Sequence, residues 1–423
     1  MKTLFKNARL IDPEAGTDAT GWLLVSNSMI AGIGKSDPPL AETVVDCQGK
    51  CLAPGIVDLG AKVCEPGERH KESYRSAGAA AAAGGVTTMI TRPDTLPALD
   101  TPEALEFVAR RANAVAPVNV LPMAALTKGR MGREMTEIGF LIDAGAVAFT
   151  DCDHVVRDTK VLTRALRYAA GLNALVVGHP QEPGLSDGAA ATSGGFAAKL
   201  GLPSVPAMAE RMGLDRDISL VEMTGVRYHV DQLTTARALP ALKRARENGL
   251  DITAGTSTHH LTLTETDIAD YRTFFKVKPP LRTETDRQAV IDGLRTGLID
   301  TLSSMHTPQD EESKRLPFEE AASGAVALET LLSAALGLYH AGALDLPTLF
   351  KAMALNPAKR LGLDCGRLST GGPADLVIFD PDVTFTLDRW ALFSKSKNTP
   401  FDGQQMRGKV LATYVAGQQV FGE

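Results

Sequence analysis

Apolar and polar positions alternate through the first fifty residues, as in Thr3-Leu4-Phe5-Lys6-Asn7-Ala8-Arg9-Leu10-Ile11 and Gly21-Trp22-Leu23-Leu24-Val25. A period of two marks short antiparallel strands with one buried face. The pattern returns near the end, at 375–380 and 408–417. Two β-rich ends around a different middle predict one small β-sandwich domain built from residues 1–53 and 364–423. Between them, over 54–363, short apolar runs alternate with helical periodicity. The runs predict strands at 55–59, 87–90, 119–122, 146–150, 174–178, 226–230, 251–254 and 301–304. Helices are predicted at 101–115, 160–171, 233–248 and 284–297. Eight β–α repeats argue for an α/β fold, a parallel sheet closed into a (β/α)8 barrel of the TIM type. An open doubly wound sheet is the alternative, but no Gly-x-Gly-x-x-Gly follows any strand at a helix start.

Composition narrows the function classes. The chain has 423 residues, 44% of them hydrophobic and 22% charged, with a net charge of −6. That balance gives no electrostatic footprint for nucleic acid or an anionic membrane. Five scattered cysteines with no Cys-x-x-Cys pair favour a reducing, cytoplasmic setting over a disulfide framework. The first residues lack the apolar core of a signal peptide. The run 77–86 is Ala and Gly, too weakly hydrophobic to span a bilayer.

In such barrels function sits on loops at the C-terminal ends of the strands. The most informative stretch there is Ala53-Pro54-Gly55-Ile56-Val57-Asp58-Leu59-Gly60-Ala61-Lys62-Val63-Cys64-Glu65-Pro66-Gly67. It resembles the first barrel strand of the cyclic amidohydrolases, the dihydroorotase family in particular. In that family the strand ends in His-x-His, which holds zinc, then a substrate-binding Arg and Glu-Pro-Gly. Here the frame remains, but the histidine positions are Gly60 and Lys62, and the arginine position is Cys64. Lys62 reads either as a charge replacing that of a lost metal or, if desolvated, as a base or nucleophile.

The resemblance continues strand by strand. Thr91-Arg92-Pro93-Asp94-Thr95 is similar to Met-Pro-Asn-Thr, with Asp94 where the substrate-holding Asn stands. Arg92 reads as paired with a nearby carboxylate. Phe149-Thr150-Asp151-Cys152-Asp153 is similar to Thr/Ser-Asp-Asp-Gly, with Cys152 at a metal-binding Asp. His179 is the one metal-ligand position kept. His229-Val230-Asp231-Gln232 is similar to His-x-x-His, with His229 kept and Gln232, a poor zinc ligand, where the metal-binding second histidine stands. Lys278 stands at a substrate-contacting Asn, and Met305 at the Asp that is both metal ligand and general base. A methionine neither accepts a proton nor holds a hard cation. The motifs 356–363, 366–376 and 394–401 extend the likeness over nearly the whole chain.

From this pattern we expect no catalytic residue, no metal and no cofactor by the family mechanism. The resemblance implies an inactive dihydroorotase-like protein that serves aspartate transcarbamoylase as a structural or regulatory subunit in pyrimidine synthesis, and a dimer at least. The alternatives are a divergent cyclic-amide hydrolase with Lys62, Asp151, Cys152, His179 and Lys278 facing one metal-free cavity, and a ligand-binding protein that retains the pocket.

Overall fold

A computed structural model describes residues 2–268 and 270–422; Met1 and Glu423, the outer ends of the two terminal segments, lie outside these. Both chain ends enter one sheet. β1 (Lys2–Asp12) pairs antiparallel with β2 (Thr17–Ser26), which pairs with β3 (Met29–Gly34). β4 (Thr43–Asp46) and β5 (Cys51–Pro54) lie parallel to β1.

β5 then pairs antiparallel with a strand from the far end of the chain, β15 (Leu376–Thr386). β16 (Gln405–Val415) and β17 (Gln418–Gly422) complete the order β17-β16-β15-β5-β1-β2-β3. Alternation drives this. In β1, Leu4, Leu10 and Ile11 are buried while Lys2 and Asn7 face water. Phe5, Leu23, Leu52, Leu376 and Tyr414 share a core of their own.

The middle of the chain is a (β/α)8 barrel, to which this β-sandwich is attached. Barrel strands one to three are β6 (Ile56–Ala61), β7 (Val86–Thr91) and β8 (Asn119–Pro122), all parallel. Strands five to eight are β9 (Leu175–Gly178), β12 (Arg227–Val230), β13 (Ile252–Ser257) and β14 (Thr301–Ser303). The two-residue strands β10 (Ala191–Thr192) and β11 (Ser204–Val205) pair outside the barrel.

The expected fourth strand, 146–150, forms no full ladder. Phe149 bridges Ala124 on one side and Val176 on the other, and backbone hydrogen bonds tie Val147 to Pro122, Ala148 and Thr150 to Ala124, and Phe149 to Leu175 and Val177. The ring closes through Asp58 of β6, whose carboxylate accepts the Ser304 N–H at 2.7 Å and its hydroxyl at 2.6 Å. Every residue of β6 and β7 is buried, as in a parallel sheet covered on both faces.

The helix expected at 233–248 begins late, at Leu239, with Pro240 in its first turn. Its expected first residues are an irregular segment and a turn instead, because Thr234 and Thr235 give their N–H and hydroxyl groups to the buried Glu210 carboxylate. Among the described residues no helix is long and apolar enough to cross a membrane.

Candidate functional site

At the C-terminal ends of the barrel strands lies a cleft of about 240 Å³, lined by Lys62, Arg92, Asp94, Arg130, Asp153, Gln232, Lys278 and Met305, with His259 and His260 on one wall. Each charged group arrives just past a strand. Lys62 follows β6, and its N–H donates to the His306 carbonyl at 2.8 Å, joining strand one to the segment after strand eight. Arg92 follows β7 and donates its N–H to the Ala61 carbonyl at 2.9 Å. The two cations therefore sit side by side on adjacent strand ends.

The charges form two alternating chains. In the first, Lys62 Nζ stands 3.3 Å from Asp94, Asp94 3.7 Å from Arg92 Nε, and Arg92 Nη1 3.8 Å from Asp231. In the second, Arg130 and Lys278 reach Asp153 at 3.3 Å and 3.2 Å. Four cations thus meet three carboxylates. Burial works against the Lys62 ammonium, but Asp94 outweighs it and holds its pKa above the usual lysine value. Burial also opposes the Asp94 and Asp153 anions; Arg92 with Lys62, and Lys278 with Arg92, overcome it and keep both below the usual carboxylate range. Asp231 has less help, and burial pushes it up to about 6.

The nine positions singled out in the sequence do not share one space. Lys62, Asp94, Gln232, Lys278 and Met305 line the cleft. Gly60 lies behind Met305, in a backbone conformation of φ +150°. Cys64 is buried, and burial pushes its thiol up to about 12. Cys152 and His179 line a separate cavity of about 30 Å³, beside Asp217 and Tyr228. Burial moves the Cys152 thiol up to about 12 and the His179 imidazole down to about 3. A neutral thiol beside a neutral imidazole is not an activated nucleophile pair.

Asp151 is also spent: it accepts Leu126 N–H at 3.1 Å, Thr127 N–H at 3.0 Å and the Thr127 hydroxyl at 2.5 Å. The single cavity expected for Lys62, Asp151, Cys152, His179 and Lys278 is thus two cavities, with His154 in the wall of both.

A binuclear metal centre does not fit these residues. Among the described residues no three His, Cys, Asp or Glu side chains converge as a metal would need. The Gln232 amide donates to the Lys278 carbonyl at 3.2 Å, Gly60 offers no donor, and the Met305 sulfur fills the space beside it. Arg130, Asp153 and Asp231 carry much of the site's charge. In the sequence Asp153, one residue past Cys152, and Asp231, one residue before Gln232, both lay beside motif positions with changed chemistry. Arg130 is contributed by a loop after strand three, which no motif marked.

Residues 49–238 match the family model described as dihydro-orotase-like. Over 425 residues the chain is 37% identical to a protein named dihydroorotase in Syntrophus aciditrophicus (strain SB), covering 100% of both. It is 39% identical to a Pseudomonas putida protein named dihydroorotase-like protein, covering 98% of each. In structure it is similar to the L-hydantoinase of Arthrobacter aurescens, with a TM-score of 0.90, 26% identity, and 100% and 96% of the two chains covered.

These findings correct the expectation of an inactive subunit for aspartate transcarbamoylase. A relative matched from end to end is named dihydroorotase. The physical reason is that changed metal positions have not closed the barrel mouth. An open, charged cleft remains where the family's ligands were expected to bind.

Proposed function

Because the chain belongs to the dihydroorotase family, we propose that its cleft takes a dihydroorotate-class compound: a small cyclic ureide bearing a carboxylate, or the ring-opened carbamoyl amino acid. The reaction we assign to it is the one its relatives are named for, opening and closing of that ring. In the opening direction water's oxygen bonds to the ring carbonyl carbon, the C–N bond breaks, and the nitrogen takes up a proton. Negative charge gathers on the carbonyl oxygen on the way. Preorganised cations in a partly water-excluded site are the groups that stabilise such charge.

One observation carries this reading. Four cations and two carboxylates line an open cleft of about 240 Å³, with a third carboxylate, Asp231, paired to Arg92, leaving a net positive charge. An anionic ligand of this size is drawn in by that charge, and its carboxylate displaces a protein carboxylate as partner. Lys278, 39% exposed and paired with Asp153 at 3.2 Å, is the cation nearest solvent and the first a ligand meets.

The test is calorimetric titration of the purified protein with dihydroorotate and with carbamoyl aspartate, beside chromatographic measurement of their interconversion in chelator-treated buffer. Saturable binding with turnover, reduced by Lys278→Met, supports the reading. Absence of both binding and turnover overturns it. Self-association and association with aspartate transcarbamoylase, implied by the family likeness, are also proposals. Sedimentation of the protein alone and mixed with the purified transferase tests them.

A further inference from the structure

Away from the cleft, cations and aromatic rings alternate in a row built from two segments, 272–274 and 389–402. The guanidinium of Arg272 lies over the Phe274 ring at 5.1 Å, and that of Arg389 over the same ring at 5.2 Å. Arg389 also lies 4.5 Å from the centre of the Trp390 ring. Such spacings are those of cation–π contacts. Asp402 ties the row down. It accepts Arg272 Nη2 at 3.0 Å and the Arg389 backbone N–H at 3.2 Å, and stands 3.7 Å from Arg389 Nε. Two guanidiniums thus share one carboxylate, and one positive charge stays uncompensated. Trp390, at the end of the row, is 61% exposed.

The neighbouring segment, 311–320, carries the opposite charge. The Thr273 hydroxyl donates to the Lys314 carbonyl at 2.5 Å, and the Lys276 ammonium to the Glu319 carbonyl at 2.7 Å, which holds this segment against 273–276. Glu311, Glu312, Glu319 and Glu320 are exposed there. Among the described residues only Glu311 has an ion-pair partner, Arg315 at 2.8 Å. Leu316 lies among them in sequence, 45% exposed.

Tryptophan and arginine are the residue types that anchor protein interfaces, and a row already stacked loses little conformational freedom when it is covered. An uncompensated cation row beside an uncompensated acidic segment is complementary to itself. A two-fold axis sets each row on the other copy's glutamates, and the contact closes at two copies. A nucleic acid or anionic membrane would meet the same glutamates and be repelled.

We propose that this face is the interface of a two-fold dimer, the Arg389–Trp390 end of the row in one copy packing on Glu319, Glu320 and Leu316 of its partner, and the reverse. This rests on the self-association put forward with the function and gives it a surface. The acidic segment leads into Ser323 and Gly324 of the cleft wall, so pairing braces that wall.

Sedimentation velocity over a range of concentrations tests this on the wild type, Trp390→Glu, Arg389→Glu, and Arg389→Glu combined with Glu319→Arg, with folding checked by circular dichroism. The wild type runs as a dimer that salt weakens. Trp390→Glu and Arg389→Glu each raise the dissociation constant by at least about tenfold. The double reversal, which exchanges the signs of the two halves, regains part of that loss. In a Trp22→Phe background Trp390 is the only tryptophan, and its emission shifts to the blue as the dimer forms.

A dimer whose dissociation constant is unchanged in folded Trp390→Glu and Arg389→Glu overturns this surface and leaves self-association standing. No recovery in the double reversal overturns the pairing of the row with the glutamates. A wild type that is monomeric at every concentration overturns both the surface and self-association. A monomer that binds purified aspartate transcarbamoylase through Trp390 gives the face to a different chain and overturns the dimer as well.

Discussion

The sulfur of Met305 lies 2.7 Å from where a β-carbon on Gly60 would stand. These residues occupy two facing positions that hold metal in the family the chain resembles. Their packing is coupled: the methionine fills space that a glycine leaves free. Gly60 also has φ +150°, a conformation side chains rarely adopt.

Restoring a side chain at Gly60 is therefore expected to be costly on its own. Gly60→His should destabilise the fold by about 2–4 kcal/mol, from overpacking and backbone strain together. Combining it with Met305→Ala should recover the packing part and not the backbone part. A double-mutant cycle by urea unfolding checks this, and strict additivity would contradict the contact.

Burial holds four histidines neutral. It moves His179, His229 and His260 down to about 3 and His259 to about 4, from an ordinary 6.5. The unfolded chain binds these protons first, so their contribution is complete above pH 6.5 and is lost as pH falls toward the folded values. Each histidine then subtracts about 1.4 kcal/mol per pH unit. The acid unfolding midpoint should fall between about pH 6 and pH 4. His229→Gln should flatten the dependence of melting temperature on pH in that window.

Lys314 is buried, and burial pulls its ammonium down to about 7. Its three protons point at the carbonyls of Thr273, Lys276 and Ala322, at 3.0, 3.4 and 2.6 Å. It pins the loop after strand eight, whose residues Ser323 and Gly324 line the cleft. Lys314→Met should cost about 2–3 kcal/mol by leaving three carbonyls short of a donor. Hydrogen exchange should rise in this loop before it rises in the strands.

Arg282 and Glu210 form a pair at 3.5 Å with 2% and 0% side-chain exposure. Arg282 also donates to the Thr234 hydroxyl at 3.0 Å and the Thr192 hydroxyl at 3.2 Å. Arg282→Met strands a buried carboxylate and should destabilise by about 3–5 kcal/mol, whereas Arg282→Met with Glu210→Gln should cost less. Equal losses in single and double variants would show that the pairing does not matter.

The strand ends legible in the sequence were those set by local pattern. Asn119–Pro122 has the same limits in pattern and structure because Pro122 closes an apolar run. Where partners decide, pattern failed. Thr234 and Thr235 leave a helical run to satisfy Glu210 from another element. At the cleft, the changed residue types at positions 60, 62, 232 and 305 were visible in the motifs. That the Arg92 Nε–H goes without a hydrogen bond was not, since it depends on gaps of 3.7 Å to Asp94 in its own loop and 3.8 Å to Asp231 at the end of strand six. The loss of family ligands also said nothing about whether the cleft had stayed open.

β5, which ends at Pro54, finds its partner in β15, which begins at Leu376. A ribosome emits the first of these long before the second. The opening strands must wait through synthesis of the entire barrel with one edge bare, so the nascent chain's last segment is the clasp that ends its exposure to chaperones and to like chains.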